Sequence, residues 1–489
     1  MEKTIKLKII GYGMNGEGVA KYKDLTVFIP FCMQDEIVLA KITKQKDKIA
    51  FAELVEIVEP HPNRITPLCP HYKQCGGCNL MHMPYATQLK TKQSALNSTL
   101  AKQLGHGHEV KPTTPSPYQT AYRNKIELTV QDDKIGFLSP ASHKLVEITT
   151  CKLAGDWLER FLQIARPALR HNTDIKNIVI RTAQTSTSIT FVTKTATRLS
   201  LKNWLNPLEK EFKNLSIFQN INTKKTSEIF GEKFIHLYGA KTQDFEFCGI
   251  KYSASPYSFL QINDQIAQKI YEKTLENIPA NANVINAYSG AGFLTAMLAK
   301  RAKKVVGIEI NRDATQDANR LMKENNITNV QNICGDCAKL TSVLFAFTAS
   351  KNTSNKGFLE ENNKKPQKNN VFSQKINEKT EIIDIPQNKN KIADGEKTPS
   401  HAVFEDVKKN NLEEFILVVD PPRAGLDKKF TAAVLDAKPE KIIYISCNPA
   451  TLARDLKAFS ECYKISLIEP FDMFPQTKHV ETLVVLTRK

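Results

Sequence analysis

The second half of the chain carries, in order, a short apolar strand, a turn with two glycines, a helix, and a second strand that ends in an acid. The first strand covers residues 283–286, the glycines are Gly290 and Gly292, and the acid is Glu309. Glycines let the backbone approach a bound nucleoside, and an acid at the tip of the second strand can accept hydrogen bonds from both ribose hydroxyls. From Ser258 onward short apolar strands alternate with helices, which predicts a doubly wound α/β sheet. We therefore expect a nucleoside site at the carboxyl ends of these strands.

The identity of the nucleoside cofactor depends on a third glycine. The G-x-G-x-x-G pattern of dinucleotide sites requires it near Ala296, where the chain reads Leu294-Thr295-Ala296. The turn therefore lacks the third glycine that lets the backbone bind the pyrophosphate of a dinucleotide. S-adenosylmethionine carries no phosphate and needs only the ribose acid and contacts to adenine, for which Asp336 after the third strand is a candidate. We favour S-adenosylmethionine, and a nicotinamide dinucleotide is the alternative.

A cysteine lies directly after another apolar run. Residues 441–445 predict a buried strand that breaks at an Asn-Pro pair, which leaves Cys447 at the carboxyl end of that strand. Ligands of open α/β sheets bind at this edge. Asp420 reaches the same edge, because it follows the predicted strand 415–419 and precedes two prolines that fix a rigid loop. Most cysteines are only small buried hydrophobes, so a role for Cys447 depends on these neighbours.

A methyl donor beside a thiol and carboxylates suits the methylation of carbon 5 of a pyrimidine. Carbon 5 is a poor nucleophile until a cysteine thiolate adds to carbon 6. A general base must then remove the proton left on carbon 5, and a carboxylate such as Glu481 in the final strand pair can do so. The predicted chemistry thus needs Cys447 as the nucleophile and Glu481 as the base.

Three cysteines lie close together after the first lysine-rich segment. Cys69, Cys75 and Cys78 form a C-x5-C-x2-C cluster with two glycines before the last thiol. The charge of thiolates can be offset by a tetrahedral zinc or by an iron–sulfur cluster, both of which prefer four sulfur ligands. Cys151 is the predicted fourth ligand rather than Cys32, because it closes the next β-rich segment and can fold back onto the loop. The spacing alone leaves zinc open, and we favour iron–sulfur.

The chain of 489 residues is too long for one hydrophobic core, so about three domains are expected. Residues 1–59 alternate apolar and polar and predict a small β-barrel, residues 60–255 a β-rich central domain, and residues 256–489 the doubly wound domain. Within the last, residues 349–411 are rich in Lys and Asn without periodicity, which predicts a disordered insertion. The net charge of +17 suits a polyanion such as RNA, which the lysine-rich barrel can bind.

Other features of the sequence limit the cellular compartments in which we expect the protein. No uninterrupted apolar run reaches the roughly 18 residues that cross a bilayer. The N-terminus lacks the apolar core of a secretory signal. Ten cysteines without such a signal do not predict a disulfide framework. We expect a cytoplasmic protein with neither a membrane partner nor an obligate protein partner.

The motifs around the nucleophile and the base, Ser446-Cys447-Asn448-Pro449 and His479-Val480-Glu481-Thr482, resemble those of the RNA uracil-5-methyltransferase family. The chain is most similar to the iron–sulfur members that act on 23S ribosomal RNA, over nearly its whole length. The resemblance implies a TRAM-type barrel, a Rossmann-like methyltransferase domain that uses S-adenosyl-L-methionine, and the roles given above for Cys447 and Glu481. It also implies a [4Fe-4S] cluster on four cysteines, namely Cys69, Cys75, Cys78 and Cys151. A uridine of transfer RNA is the alternative substrate.

The resemblance further implies which residues contact the cofactor. The predicted contacts are Gln261, Tyr288, Gly290, Gly292, Phe293, Glu309, Asp336 and Asp420. The glycine turn departs from the family pattern twice, because Phe293 stands where a polar residue is usual and Ser289 replaces a common cysteine. The segment 349–411 is not part of the family core. A non-catalytic RNA-binding factor is the alternative from another class of protein.

Overall fold

The computed structural model describes residues 4–140, 142, 144–170, 174–224, 228–339, 382–384 and 414–489. The insertion predicted at residues 349–411 lies outside these ranges except for Ile382–Asp384, which forms a strand. Within the same ranges, no helix is both long enough and apolar enough to cross a membrane.

A closed barrel of five strands forms the N-terminal part, which confirms the barrel predicted from alternation. Its strands are β1 (Thr4–Tyr12), β2 (Gly18–Tyr22), β3 (Leu25–Ile29), β4 (Ile37–Lys46) and β5 (Ile49–Glu59). They are ordered β1-β2-β3-β5-β4 around the barrel. Successive side chains of a strand point to opposite faces, so alternate residues such as Leu7, Ile9 and Val27 are buried inside.

A long helix, α1 (Tyr85–Leu104), follows the cysteine-rich loop. It ends where Gly105 takes a positive φ of 83°, a conformation that favours glycine. Leu96 and Leu100 are buried in one apolar cluster with residues of the C-terminal sheet. The helix therefore packs on the C-terminal domain, although it lies within the segment predicted as the central domain.

The central sheet holds eight strands, and two helices pack against it. The helices are α2 (Asp156–Leu169) and α3 (Leu205–Glu211). The strands are β6 (Lys125–Gln131), β7 (Lys134–Leu138), β8 (Leu145–Glu147), β9 (Ile175–Thr182), β10 (Thr187–Thr193), β11 (Leu215–Ile221), β12 (Lys233–Tyr238) and, much later in the chain, β18 (Ile382–Asp384). Their order is β18-β12-β11-β10-β9-β6-β7-β8. The core between helices and sheet centres on Trp204 and Phe191, whose ring centroids lie 4.5 Å apart.

Residues 245–252 alternate apolar and polar side chains, which predicts a single strand, but the structure has a hairpin of β13 (Gln243–Phe247) and β14 (Ile250–Ala254) there. Cys248 and Gly249 between them have φ values of 51° and 67°. Positive φ at both central residues is the geometry of a two-residue hairpin turn. A cysteine at the first of these positions is not a recognised turn signal, so the sequence pattern does not predict this turn.

The C-terminal sheet has seven strands, all parallel except for one, and its doubly wound architecture confirms the predicted fold class. Its strands are β15 (Asn283–Ala287), β16 (Lys304–Glu309), β17 (Val330–Cys334), β19 (Phe415–Val419), β20 (Lys441–Ser446), β21 (Tyr463–Phe471) and β22 (Glu481–Arg488). Its helices are α4 (Asp264–Glu276), α5 (Phe293–Ala299), α6 (Arg312–Glu324), α7 (Lys428–Ala437) and α8 (Pro449–Phe459), with a 3₁₀ turn at Cys337–Lys339. The order is β17-β16-β15-β19-β20-β22-β21, and β22 runs antiparallel to both neighbours.

Both faces of this sheet are covered. Alternate residues of β15 enter different apolar clusters, Ile285 on one face and Val284 on the other. Burial on both faces explains why the strand reads as a nearly continuous apolar run. It also leaves only the edges and the carboxyl ends of the strands available for ligands.

Candidate active site

The strand order reverses between β15 and β19, which lie side by side. Ala287 pairs with Val419, and β20 pairs with the other side of β19. Tyr288 and Asp420 therefore begin neighbouring loops at one edge of the sheet, and Cys447 begins the next. Loops that diverge at such a point leave a crevice, the usual ligand site of an open α/β sheet. The sequence predicted all three residues for this edge.

The glycine turn wraps the end of β15. Tyr288, Gly290 and Gly292 all have positive φ, and Gly292 forms the N-cap of α5. A Cβ added at Gly292 would lie 2.6 Å from the Cβ of Ala318, so that glycine is required for packing. A Cβ added at Gly290 would meet no atom of the described residues within 4 Å. Gly290 thus faces open space at the crevice, where a ligand can approach the backbone.

The carboxylate of Glu309 is fixed opposite this turn. Its Oε2 accepts the backbone N–H of Gly290 at 2.9 Å, and its Oε1 accepts that of Asn311 at 2.8 Å. Each oxygen keeps a lone pair for a ribose hydroxyl. Asp336 follows the adjacent strand, is exposed, and accepts the N–H of Ala338 at 2.9 Å. Two acids at neighbouring strand ends suit the ribose and adenine of a nucleoside.

The Phe293 side chain lies in an aromatic cluster at the first turn of α5. Its ring centroid is 5.2 Å from that of Phe247 and 5.7 Å from that of Tyr271. In this arrangement the ring contributes to packing, whereas its backbone lies in the glycine turn. Tyr288 likewise packs edge-on against Phe430, with ring centroids 5.4 Å apart.

Tyr271 on α4 was not predicted for the site. Its hydroxyl forms a hydrogen bond with the side chain of Gln261, and its pKa is raised by burial and then by the charge of Asp420. Tyr271 is thus in contact with Gln261 and is influenced by the charge of Asp420, two predicted cofactor residues that lie far apart in the chain. At helical spacing a tyrosine is indistinguishable from a core residue, so no sequence signal could have found it.

Cys447 lies between the end of β20 and the start of α8. The Asn448 side chain caps this helix, because its Oδ1 accepts the N–H of Ala450 at 3.1 Å. The Asn448 amide also donates to the backbone oxygen of Arg423 at 3.0 Å. The loop of the thiol is therefore tied to the loop of Asp420.

A cavity of about 190 Å³ opens beside the thiol. Its lining includes Met14, Asn15, Lys92, Arg423, Cys447 and His479. Barrel, central segment and C-terminal domain therefore all contribute to this one cavity. Burial lowers the pKa of His479 to about 4, so its ring is neutral at neutral pH.

The thiol and two carboxylates influence one another's protonation. Burial and then the charges of Glu481 and Asp420 raise the pKa of Cys447 to about 11, and the charge of Arg423 opposes this rise. Burial raises the pKa of Asp420 to about 7. Burial and then Asp420 raise the pKa of Glu481 well above its usual range. Shifts of this kind, caused by burial and mutual charge in a crevice, are typical of catalytic groups.

The loop before Glu481 is held by residues that follow the cysteine cluster. The backbone oxygen of Gln476 accepts the N–H groups of Asn79 at 3.1 Å and Leu80 at 3.0 Å. The side chain of Gln88 on α1 accepts from the N–H of Gln476 and donates to its Oε1, at 3.0 and 2.9 Å. Glu481, the first residue of β22, is thereby placed by contacts with a distant part of the chain.

The four predicted cluster cysteines come together in the structure. Cys69, Cys78 and Cys151 contact the same small apolar cluster of Met81, Tyr122 and Leu153. Burial is the main cause of the raised pKa values of Cys75, Cys78 and Cys151, and the neighbouring cysteines raise them further.

Cys32 lies elsewhere, in the barrel core. Across the part of the chain that the structure describes, no group of three or more His, Cys, Asp or Glu side chains is arranged to hold a metal ion. The metal prediction remains a prediction.

Comparison with known proteins identifies the family. The model of the tRNA (Uracil-5-)-methyltransferase family matches residues 84–348 and 391–489. An uncharacterized RNA methyltransferase of Clostridium tetani is 30% identical over 506 residues, covering 99% of this chain and 96% of the relative. One from Bacillus cereus is 31% identical over 495 residues, covering 96% and 94%.

A solved structure shares the fold over the whole length. The tRNA (uracil-54, C5)-methyltransferase of Pyrococcus abyssi, in complex with S-adenosyl-L-homocysteine, has a TM-score of 0.69 at 24% identity and covers 99% of this chain and 100% of its own. The family model covers well over half of the chain and includes both sides of the catalytic crevice. The chain belongs to the tRNA (uracil-5-)-methyltransferase family, the RNA uracil-C5 methyltransferases, and is an S-adenosylmethionine-dependent RNA methyltransferase.

Proposed function

We propose that the protein methylates carbon 5 of a uridine in RNA through a covalent bond between Cys447 and carbon 6 of the base. The observation that carries this proposal is the mutual influence of Cys447, Glu481 and Asp420, together with the cavity that Cys447 lines. A nucleophile and a buried base at the carboxyl edge of the sheet are the two groups that the reaction needs.

The chemistry proceeds in three steps. Cys447, as a thiolate, forms a bond from Sγ to carbon 6, and the electron pair of the 5,6 double bond becomes available at carbon 5. Bound S-adenosylmethionine would supply the methyl group that carbon 5 takes up, with the S–CH3 bond broken and S-adenosylhomocysteine left as the product. Glu481 removes the remaining proton from carbon 5, the 5,6 double bond forms again, and the Cys447 thiolate leaves.

Glu481 suits the last step because its environment makes it a strong base. Burial and the charge of Asp420 raise its pKa, and the Arg423 guanidinium limits that rise. A carboxylate with a raised pKa takes a proton more readily than an ordinary one. The protonation of Glu481 therefore depends on both Asp420 and Arg423.

The crevice also suits the cofactor. Gly290 is open to the crevice, and Glu309 is held in place with free lone pairs. We assign Glu309 to the ribose and Asp336 to the adenine. We also assign Gln261, which is hydrogen-bonded to Tyr271, and Asp420, whose charge acts on Tyr271, to the cofactor site.

We propose a uridine of 23S ribosomal RNA as the substrate. The support is the four-cysteine motif together with the lysine-rich barrel, a combination that resembles the ribosomal RNA members of the family. Transfer RNA is the second candidate, because the whole-length structural neighbour from Pyrococcus abyssi is a tRNA (uracil-54, C5)-methyltransferase. Mapping 5-methyluridine by mass spectrometry in both RNA classes, with and without the gene, distinguishes them. Loss from transfer RNA alone would overturn the ribosomal assignment.

We further propose that Cys69, Cys75, Cys78 and Cys151 hold a [4Fe-4S] cluster. The support is that Cys69, Cys78 and Cys151 pack against one apolar cluster, that the charges of Cys151 and Cys69 act on Cys75, and that iron–sulfur centres prefer four thiolates. Such a cluster supplies a cationic core that offsets thiolate charge. Protein purified without oxygen should be brown and contain iron and acid-labile sulfide. Colourless protein that contains only zinc would contradict the proposal.

Covalent trapping tests the reaction itself. RNA that carries 5-fluorouridine should form a stable adduct with the protein, because fluorine cannot leave carbon 5 as a proton does. The adduct should appear as a shifted band and should be absent with Cys447→Ala. A non-catalytic RNA-binding factor would bind the RNA without forming an adduct.

A further inference from the structure

A short loop that follows the β13–β14 hairpin carries Gln261. We call residues 255–262 the Gln261 loop; it runs from the end of β14 towards the start of α4. The loop opens with a turn, in which the N–H of Ser258 donates to the backbone oxygen of Ser255 at 3.1 Å. Gln261 comes shortly after this turn, so its position depends on the contacts that hold the turn and the end of the loop.

Arg181 of the central sheet holds the turn of the Gln261 loop. It lies next to the end of β9, and the preceding residue, Ile180, enters the core beneath α2 and α3. Arg181 therefore points to the opposite face of the sheet. Its Nη1 donates to the backbone oxygen of Ser255 at 3.2 Å, and its Nη2 donates to that of Ser258 at 2.6 Å. One planar guanidinium thus bonds both ends of the turn.

The Arg181 side chain is both buried and charged. The residue is 4% exposed. Burial is the main cause that lowers its pKa to about 10, so the guanidinium is still protonated at neutral pH. A buried cation costs free energy unless hydrogen bonds compensate for the lost water, and the two carbonyl oxygens of the turn provide such bonds. The turn and the Arg181 side chain therefore fix each other's positions.

A buried acid holds the same turn from the side of the C-terminal domain. Asp317 of α6 is 4% exposed, and its Oδ2 accepts from the hydroxyls of Ser255 at 3.1 Å and Ser258 at 2.9 Å. Helix α6 begins at Arg312, shortly after Glu309, the acid assigned to the ribose. The turn is therefore bonded to a cation of the central domain and to an anion of the C-terminal domain.

Asn124 of the central domain holds the end of the Gln261 loop. Its Nδ2 donates to the backbone oxygen of Gln261 at 2.9 Å, and its N–H donates to that of Ile262 at 3.1 Å. The backbone oxygen of Asn124 accepts the N–H of Thr182, the last residue of β9, at 2.8 Å. Both ends of the loop are therefore bonded to the same end of β9, directly at the turn and through Asn124 at Gln261.

We propose that Arg181 and Asn124 are positioning residues for the cofactor, which act through Gln261. They hold the Gln261 loop so that the Gln261 side chain reaches Tyr271 and the cofactor crevice. Neither residue is assigned a contact with the cofactor itself. Cofactor binding in the C-terminal domain thus depends on the central domain. The inference rests on the proposed function, because it takes Gln261 as a cofactor contact.

The affinity of the full-length protein for S-adenosyl-L-homocysteine tests this role and can be measured by isothermal titration calorimetry. Arg181→Met removes both donors and should weaken binding about 5-fold, the effect expected for loss of one net hydrogen bond to the ligand. Asn124→Ala should weaken binding in the same direction. In steady-state assays, the KM for S-adenosylmethionine should rise in both variants, while the KM for RNA should stay near that of wild type.

A double variant shows whether Arg181 acts through Gln261. Gln261→Ala alone should weaken binding about 5-fold, because it removes the side chain that the loop positions. If both substitutions affect the same contact, Arg181→Met/Gln261→Ala should bind about as weakly as Gln261→Ala. Two independent effects would instead multiply to a loss of roughly 25-fold.

A matched variant in the same sheet separates positioning from stability. Gln219 on β11 is fully buried, and its Nε2 donates to Thr193 Oγ1 at 3.0 Å and to the backbone oxygen of Thr197 at 2.8 Å. Gln219→Met should lower the unfolding temperature, as Arg181→Met should, but leave the affinity for S-adenosyl-L-homocysteine unchanged. Arg181→Lys keeps a cation with hydrogen-bond donors and should recover part of the affinity that Arg181→Met loses.

Three results would overturn the proposal. The first is wild-type affinity in both Arg181→Met and Asn124→Ala; Asn124 is partly exposed, so Asn124→Ala decides the matter if Arg181→Met does not fold. The second is an equal loss of affinity in Gln219→Met, which would make general destabilisation the cause. The third is a multiplied loss in the double variant.

Two further measurements separate this inference from the proposed function. Unchanged affinity of Gln261→Ala would reject the assignment of Gln261 to the cofactor, and with it this inference. Adduct formation by the wild type with 5-fluorouridine RNA is measured in parallel. An adduct without an effect of Arg181 and Asn124 on cofactor affinity rejects only their positioning role, whereas no wild-type adduct rejects the proposed reaction.

Discussion

The ammonium group of Lys92 and the carboxylate of Asp472 form a buried ion pair, with 2.5 Å between Nζ and Oδ1. Their side chains are 1% and 0% exposed. Lys92 Nζ also donates to the backbone oxygen of Phe474 at 3.0 Å. Burial lowers the pKa of Lys92, and the charge of Asp472 opposes this. The pair connects α1 to the loop that leads to Glu481.

Removing one member of this pair should destabilise the protein strongly. We expect Lys92→Met to lower the free energy of unfolding by about 3–5 kcal/mol, because it leaves the Asp472 charge buried without a partner. The double variant Lys92→Met/Asp472→Leu should lose much less, since it buries no charge. Urea unfolding followed by circular dichroism measures both. A double variant as unstable as the single one would show that charge is not the cause.

If Glu481 is the base, as proposed, replacing it should stop the reaction after the covalent bond has formed. Glu481→Gln is expected to accumulate a Cys447 adduct on ordinary uridine RNA and to lower turnover by about 10²–10⁴-fold, the usual contribution of a general base. Denaturing gel electrophoresis and methyl transfer assays measure the two effects. Cys462→Ala removes an exposed thiol and is the control, with full activity expected. Turnover of Glu481→Gln near that of wild type would exclude Glu481 as the base.

The reactivity of Cys447 should rise with pH well into the alkaline range. Burial raises its pKa to about 11, so below that value the thiolate fraction grows about tenfold per pH unit. Alkylation by iodoacetamide, followed by peptide mass spectrometry, measures this rate in the folded protein. The rate should still be rising at about pH 10. A plateau near neutral pH would contradict the raised pKa.

The charge of Arg423 should lower the pH midpoint of Cys447 alkylation. Its charge opposes the rise in the pKa of Cys447, so Arg423→Ala is expected to move the alkylation midpoint to higher pH. Arg423→Lys retains the charge and should shift it less. Identical profiles for the three proteins would show that Arg423 does not influence the thiol.

Loss of the ribose acid should weaken cofactor binding. We expect Glu309→Ala to reduce the affinity for S-adenosyl-L-homocysteine by about 10-fold or more, because a hydrogen bond to a charged group contributes roughly 1.5–3 kcal/mol. Isothermal titration calorimetry measures the affinity. Glu324→Gln changes an acid of α6 outside the crevice and is the control. Unchanged binding by Glu309→Ala would place the ribose elsewhere.

Local patterns predicted much of the fold because they depend on neighbours in sequence. Alternation of apolar residues predicted the barrel, and the order of strand, turn, helix and acid predicted the doubly wound sheet. A strand end is also a local feature, so Asp420 and Cys447 could be assigned to one edge before their distance was known. The hairpin at Cys248 was missed because its turn has no standard signal.

The sequence by itself predicted Cys447 as the nucleophile and Glu481 as the base, and it determined the glycine turn and the cysteine motif as separate elements of the chain. Only the tertiary structure decided that Tyr271 contacts Gln261, that Met14 lines the cavity of Cys447, and that Lys92 pairs with Asp472 across 380 positions. Contacts between distant residues depend on how helices and sheets pack, and packing leaves no periodic signal in the chain. The environment that sets the protonation of Cys447 therefore belongs to the folded protein alone.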